Sequence, residues 1–168
     1  MISEKEEKLI KELKKIRFLD SDKEDEDEMQ DEVEEKIDRY ENILFELSNT
    51  KELEVISELC DIAEDKATEL SAVEYLLRTI YKILVNNDIK IGMDELIKGT
   101  KYMLHKAFQN AVTLHIWILR NYNLRQVYIT SIKNLNNKEK KGIISILEEI
   151  MRMFGDEYKV KEVLEAIK

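Results

Sequence analysis

Proline is absent from this chain, and glycine occurs only four times in 168 residues. Strand-rich folds turn on those two residue types, so their scarcity argues against a sandwich or barrel of many tight turns and leaves an all-α fold. A single cysteine, Cys60, excludes an intramolecular disulfide. Its neighbours Ile56, Leu59, Ile62 and Ala63 mark it as a small buried hydrophobe rather than a nucleophile. No apolar run approaches the roughly 18 residues of a membrane span. The opening Met1-Ile2-Ser3-Glu4-Lys5-Glu6-Glu7 is too acidic and polar to read as a signal peptide, so the expected setting is the reducing cytoplasm.

The length suits one domain spanning 1–168, large enough to bury roughly 70% of its unfolded surface without staples. Charged residues make up 38% of the chain, against about 25% in an average globular protein. Their placement is lopsided. Between Asp20 and Glu35 there are 11 acidic residues and one basic one, Lys23, a local charge of −10 in a chain whose whole net charge is −9. Residues 97–168 carry 13 Lys/Arg against 7 Asp/Glu. Such a molecule has one anionic end that attracts basic partners and repels nucleic acid and anionic membrane.

Helical periodicity recurs along the chain, and short polar junctions divide it into eight or nine helices. Ser3 with Glu6 forms a capping box ahead of Leu9, Leu13 and Ile16, and Ser21 with Glu24 reads as a second one. The helix opening there carries Met29, Val33, Ile37, Tyr40, Leu44 and Leu47, spaced by three or four residues as one apolar stripe. The acidic segment 20–35 is therefore expected to be its first turns, where carboxylates favour the positive end of the helix dipole. Thr50, then Ser71 with Glu74, are expected to start the next two helices, the second being the centre of the core. Asn86-Asn87-Asp88 ends it, and Gly92 and Asp94 introduce a segment with Gly99 as a soft spot. A helix from Phe108 to Tyr122 follows. Asn123 with Gln126 and Asn136 with Glu139 open two more, Gly155 caps the latter in the left-handed region, and a short helix holds Val160, Val163, Leu164 and Ile167. Short links favour antiparallel hairpins stacked as a HEAT- or armadillo-like solenoid, with a compact irregular bundle as the alternative.

Signals of catalysis are sparse. The two histidines lack His-Glu-x-x-His spacing. His115 lies on an apolar helical face as a hydrogen-bonded core residue, and His105 sits near a helix end in a solvated or capping position. No glycine-rich loop cradles a phosphate, and no cofactor is implied. Asp25, Asp27 and Asp31 lack the glycine and terminal glutamate of an EF-hand loop, so no metal site is assigned. Lys133, Lys138, Lys140, Lys141 and Arg152, with Tyr122 and Tyr128 nearby, read as solvated faces rather than a nucleic-acid surface. Trp117 stands off its helix's main stripe, either filling a groove between helices or anchoring a partner. With Val33 at the centre of the buried stripe, Glu24, Glu28, Asp31, Glu35 and Asp38 point the opposite way as one ridge, and Asp22, Asp25 and Asp27 add long-range attraction. This ridge, with Trp117 in reserve, is the expected partner-binding surface. Its alternative is an ordinary solvated face.

Several short strings occur in a suggestive order. They are Arg17-Phe18-Leu19-Asp20-Ser21, Tyr40-Glu41-Asn42-Ile43-Leu44 and Glu58-Leu59-Cys60-Asp61, then Asp94-Glu95-Leu96-Ile97-Lys98, Met103-Leu104 and Ala111-Val112-Thr113-Leu114-His115. Together they resemble the immunity protein 30 family, all-α immunity proteins of bacterial polymorphic toxin systems, over roughly residues 10–150. The resemblance implies a cytoplasmic, non-enzymatic protein that binds and blocks a cognate toxin domain, often encoded beside it. Toxin domains that attack nucleic acid are typically basic, so an acidic face would suit a nuclease. The competing expectation is a structural helical-repeat adaptor joining host proteins.

Overall fold

The structure, a computed structural model, describes residues 1–168 and contains nine α-helices and no strand. In chain order they are α1 (Glu4–Ile16), α2 (Glu26–Leu47), α3 (Val55–Ile62), α4 (Leu70–Val85), α5 (Ile89–Met103), α6 (Phe108–Arg120), α7 (Tyr122–Lys133), α8 (Asn137–Phe154) and α9 (Val160–Ile167). No helix is long and apolar enough to cross a membrane. Each odd-numbered helix packs on the next odd one, from α1 through α9, and each even-numbered helix on the next even one, from α2 through α8. Most consecutive helices also touch, joining the two rows. A single cluster of 44 buried apolar residues runs between the rows from Leu9 to Ile167.

The capping boxes expected at Ser3–Glu6 and Asn136–Glu139 are both formed. Other starts differ from expectation. The α2 helix begins at Glu26 with Asp25 as its cap, while Ser21 Oγ accepts Lys23 N–H at 3.1 Å and donates to Glu32 Oε2 at 2.6 Å, closing a turn ahead of the helix. Thr50 closes a local turn by accepting Glu52 N–H, and α3 starts only at Val55. The α4 helix begins at Leu70 with no side-chain cap, leaving Ser71 inside its first turn. Asn121, not Asn123, caps α7 by accepting Leu124 N–H at 3.1 Å. Gly155 has the expected positive φ, 60°, but its ψ of −142° lies outside the left-handed helical region.

Gly99 is a contact point rather than a soft spot. A Cβ there would stand 2.7 Å from Cys60 Cβ and 2.9 Å from Ser57 Cα, so α5 lies against the α3 backbone at this position. Six of the eight α3 residues are buried, which makes the α3–α5 contact, beside α4, the tightest part of the core. Burial pushes the Cys60 thiol up to about 12, as fits the inert reading.

Charged groups hold the ends of these helices in place. Lys14 of α1 pairs with Glu58 at 2.8 Å and Asp61 at 3.0 Å, and Lys106 pairs with Asp61 and the buried Glu64 at 3.3 Å each. Arg17 Nε lies 3.0 Å from Glu64 Oε1, close enough for ion pairing but not aligned for a hydrogen bond. Burial alone would raise the Asp61 carboxyl, but Lys14 and Lys106 hold it below the usual carboxylate range. The α6 helix has no cap of its own at Ala107. Asp65, from the link between α3 and α4, accepts Gln109 N–H at 2.9 Å and Asn110 N–H at 3.1 Å.

Candidate partner-binding face

The acidic segment leaves the core at Leu19. That residue is fully buried at φ 53°, in the left-handed region, which costs about 1–2 kcal/mol for a side chain with a Cβ. Burying a leucine contributes about 1.5–3 kcal/mol and offsets the strain. Thr68 Oγ1 donates to Leu19 O at 2.8 Å, tying the turn to the entry of α4. Beyond it the chain bends through 20–25 and folds back on α2. Lys36 donates to Asp20 O and pairs with Glu32 at 2.8 Å. Glu32 is held below the usual carboxylate range by Lys36 first and Ser21 second.

The α2 helix outruns its neighbours. Lys82 of α4 donates to Ser48 Oγ at 3.0 Å, just past the end of α2, while the entry of α4 is tied through Thr68 to Leu19, beside the level of Lys36. The two helices therefore run side by side in the same direction. Residues 26–35 extend past the start of α4 by about 15 Å, at 1.5 Å per residue. The apolar stripe joins the core only from Ile37. Met29 is 37% exposed and Val33 half-buried, and neither belongs to the packed cluster.

On this overhang and just past it, Glu28, Asp31, Glu35 and Asp38 form four positions of the expected ridge, all exposed. Glu24 does not join it. It lies in the bend before the helix, because Asp25 rather than Ser21 is the cap. Asp22 is also in the bend, Asp27 is in the first turn, and Asp25 accepts Asp27 N–H and Glu28 N–H at 3.1 Å each. None of these eight carboxylates forms an ion pair. Closer to the core the acids are matched, as in Glu12 with Arg39 at 2.6 Å and Glu46 with Lys5 at 2.9 Å.

Trp117 lies elsewhere. It is half-buried on α6, edge-on to Tyr81 of α4 with ring centroids 6.1 Å apart, and lines a shallow depression with Glu74 and Arg78. Tyr81 adjoins Lys82, which reaches the far end of α2, so Trp117 stands roughly 20 Å along the helix axis from the middle of the ridge. The ridge and the tryptophan do not form one site.

Both histidines sit as the sequence suggested. His105 is exposed in the turn after α5. His115 is fully buried, with Nδ1 2.7 Å from Tyr128 Oη and Nε2 3.0 Å from Thr100 Oγ1. The Thr100 hydroxyl donates to Leu96 O at 2.8 Å, so it accepts from His115 Nε2–H, and Nδ1 then accepts the Tyr128 hydroxyl. This is a neutral imidazole held in one tautomer, and burial pushes its pKa down to about 4. Tyr128 is thereby a core residue, not an aromatic companion of the surface lysines.

No family model, no curated protein and no solved structure matches this chain.

Proposed function

We propose that this protein neutralises a cognate bacterial toxin by binding it stoichiometrically, with the overhanging face of α2 as the docking surface for a basic toxin domain. The observation that carries the proposal is the run of exposed, unpaired carboxylates on a helix that extends past its neighbours. Like charges four residues apart, such as Asp27–Asp31 and Asp31–Glu35, cost a few tenths of a kcal/mol each in the free protein. A basic partner relieves that repulsion and is drawn in by the field, which raises the association rate more than the final affinity. The role is non-enzymatic and cytoplasmic in this reading, in line with the immunity protein 30 resemblance. The alternation of odd and even neighbours supports a short HEAT-like solenoid as the scaffold.

The test is co-expression with the product of the adjacent gene, scoring growth rescue and co-purification together. The charge-reversed variant Glu28→Lys/Asp31→Lys/Glu35→Lys should then associate at least tenfold more slowly at low salt, with the difference shrinking as salt is added. A neighbour that is harmless and does not bind removes the immunity reading. Association unchanged by the reversals moves the interface off α2.

The second reading, an adaptor in a constitutive assembly, is favoured by one feature: the Trp117–Tyr81 pair beside Arg78, where aromatic and arginine side chains of the kind that anchor protein interfaces lie together. Loss of a partner on Trp117→Ala, with the α2 reversals silent, would support it.

A further inference from the structure

A well-formed concavity lies in the basic half of the molecule, away from α2. It is a cleft of about 660 Å³ between the end of α5, the end of α7 and the beginning of α8, within the size range of small-molecule sites. Its floor is aliphatic: Ile97 and Ile143 are buried, and Leu104 and Leu135 are half-buried. Leu104 is seated there by the bare backbone of Gly142, where a Cβ would meet Leu104 Cδ1 at 2.7 Å.

The polar rim is asymmetric. Both carboxylates in the cleft are already engaged as acceptors, Asp94 with the Ser131 hydroxyl at 2.6 Å and Glu139 with Asn136 N–H at 3.2 Å in the capping box. Of the three lysines, Lys98 is tied to Glu95 at 3.3 Å, whereas Lys101 and Lys138 have no carboxylate partner. Lys101 lies over its own neighbour, with Nζ 4.8 Å from the Tyr102 ring. The rim therefore carries three lysines against two carboxylates above an apolar floor, and neither Lys101 nor Lys138 has an anionic partner.

We propose that this cleft binds an organic carboxylate with an aliphatic body, the head between Lys101 and Lys138 and the chain on Ile97, Leu104 and Ile143. A bare inorganic oxyanion would leave the floor wet, and an uncharged lipid would leave both ammonium groups unpaired. A ligand carrying one charge and one apolar body satisfies both parts of the site. The site stands on different elements from the α2 face and holds whether or not a toxin binds there.

Octanoate is the probe, titrated into the full chain while the methyl resonances of Ile97, Leu104 and Ile143 are followed by NMR. The expected result is saturable one-to-one binding, at least tenfold weaker for octanol, absent from these methyls for inorganic phosphate, and at least tenfold weaker in Lys101→Glu/Lys138→Glu. Reversal of a distant exposed lysine, Lys161→Glu, should leave the titration unchanged. Octanoate that does not saturate, or that binds no better than octanol, overturns the proposal in the unaltered protein without recourse to any variant. Binding indifferent to the double reversal overturns the placement of the head group.

Discussion

Acidification between pH 6.5 and 4 should destabilise this protein through one buried side chain. An unfolded histidine titrates near 6.5, whereas burial holds native His115 at about 4. Between those values the unfolded chain binds a proton that the native imidazole refuses. Stability is therefore full above pH 6.5, falls as pH drops below it, and levels off for this group below about pH 4. The gap of about 2.5 units corresponds to about 3 kcal/mol in all, of which about 2 kcal/mol is lost by pH 5. At about 2–4 °C per kcal/mol for a domain of this size, Tm should fall by about 4–8 °C between pH 7.5 and pH 5. The depressed carboxylates Glu6, Glu12, Glu32, Glu54, Asp61 and Glu149 contribute in the same direction, but their stabilisation is lost as pH falls below the ordinary carboxylate range, near 4.5 and under. The window from 6.5 to 5 thus belongs to His115. Urea unfolding at constant ionic strength across that window, on the natural chain and on His115→Gln, isolates it. Glutamine can donate to Thr100 and accept from Tyr128 as the neutral imidazole does, so the variant should start about 1–3 kcal/mol less stable at pH 7.5 and lose the slope. A flat profile in the natural chain, or the same slope in His115→Gln, would refute the assigned neutral tautomer.

Two glycines of α5 should respond oppositely to alanine. Gly99→Ala should cost about 1–3 kcal/mol in chemical denaturation because its Cβ meets Cys60 Cβ at 2.7 Å, whereas Gly92→Ala, with nothing nearer than 3.5 Å, should gain up to about 1 kcal/mol. Asp65→Ala should cost about 1–2 kcal/mol by uncapping α6 from a distance, read as a lower urea midpoint with an unchanged slope. Asp25→Ala should leave global stability nearly unaltered but speed amide hydrogen exchange at Asp27 and Glu28, since it caps a part of α2 that packs on little else.

How far the fold was legible follows the range of the forces involved. Helix number and the capping boxes at Ser3 and Asn136 depend on residues three apart, and local sequence carries them. The start of α6 depends on Asp65, more than 40 residues upstream, and no local motif at Ala107 announces it. Ser21 and Ser71 looked like caps and are not. The first accepts Lys23 N–H in a turn ahead of the helix, and the second falls inside a helix that begins one residue earlier, at Leu70, with no side-chain cap. Gly99 misled in the same way. Its poor helix propensity is visible in the sequence, but the α3 backbone that requires it becomes a neighbour only when the helices stack. The α5–α7–α8 cleft is likewise a product of stacking, and no local motif marks it in the sequence.

The α2 helix shows where periodicity stops being evidence of burial. Met29, Val33 and Ile37 continue the spacing of Tyr40, Leu44 and Leu47 without a break, yet only Ile37 and the residues after it enter the core. The difference lies in the neighbours: α4 begins at Leu70, tied through Thr68 to the turn at Leu19, so the first turns of α2 meet only the polar bend 20–25 and no other helix of the core. Periodicity tells a chain to be a helix on one face, and the length of the adjacent helices decides how much of that face is covered. Here the uncovered part coincides with the densest carboxylates of the chain. Solvent on nearly all sides screens them and makes the concentration of charge tolerable in the free protein. Met29 and Val33 are only partly covered and lie on the side of α2 turned away from Glu28, Asp31 and Glu35. A partner docked on the ridge therefore meets carboxylates and no apolar centre, so its attachment should weaken steeply as salt is added.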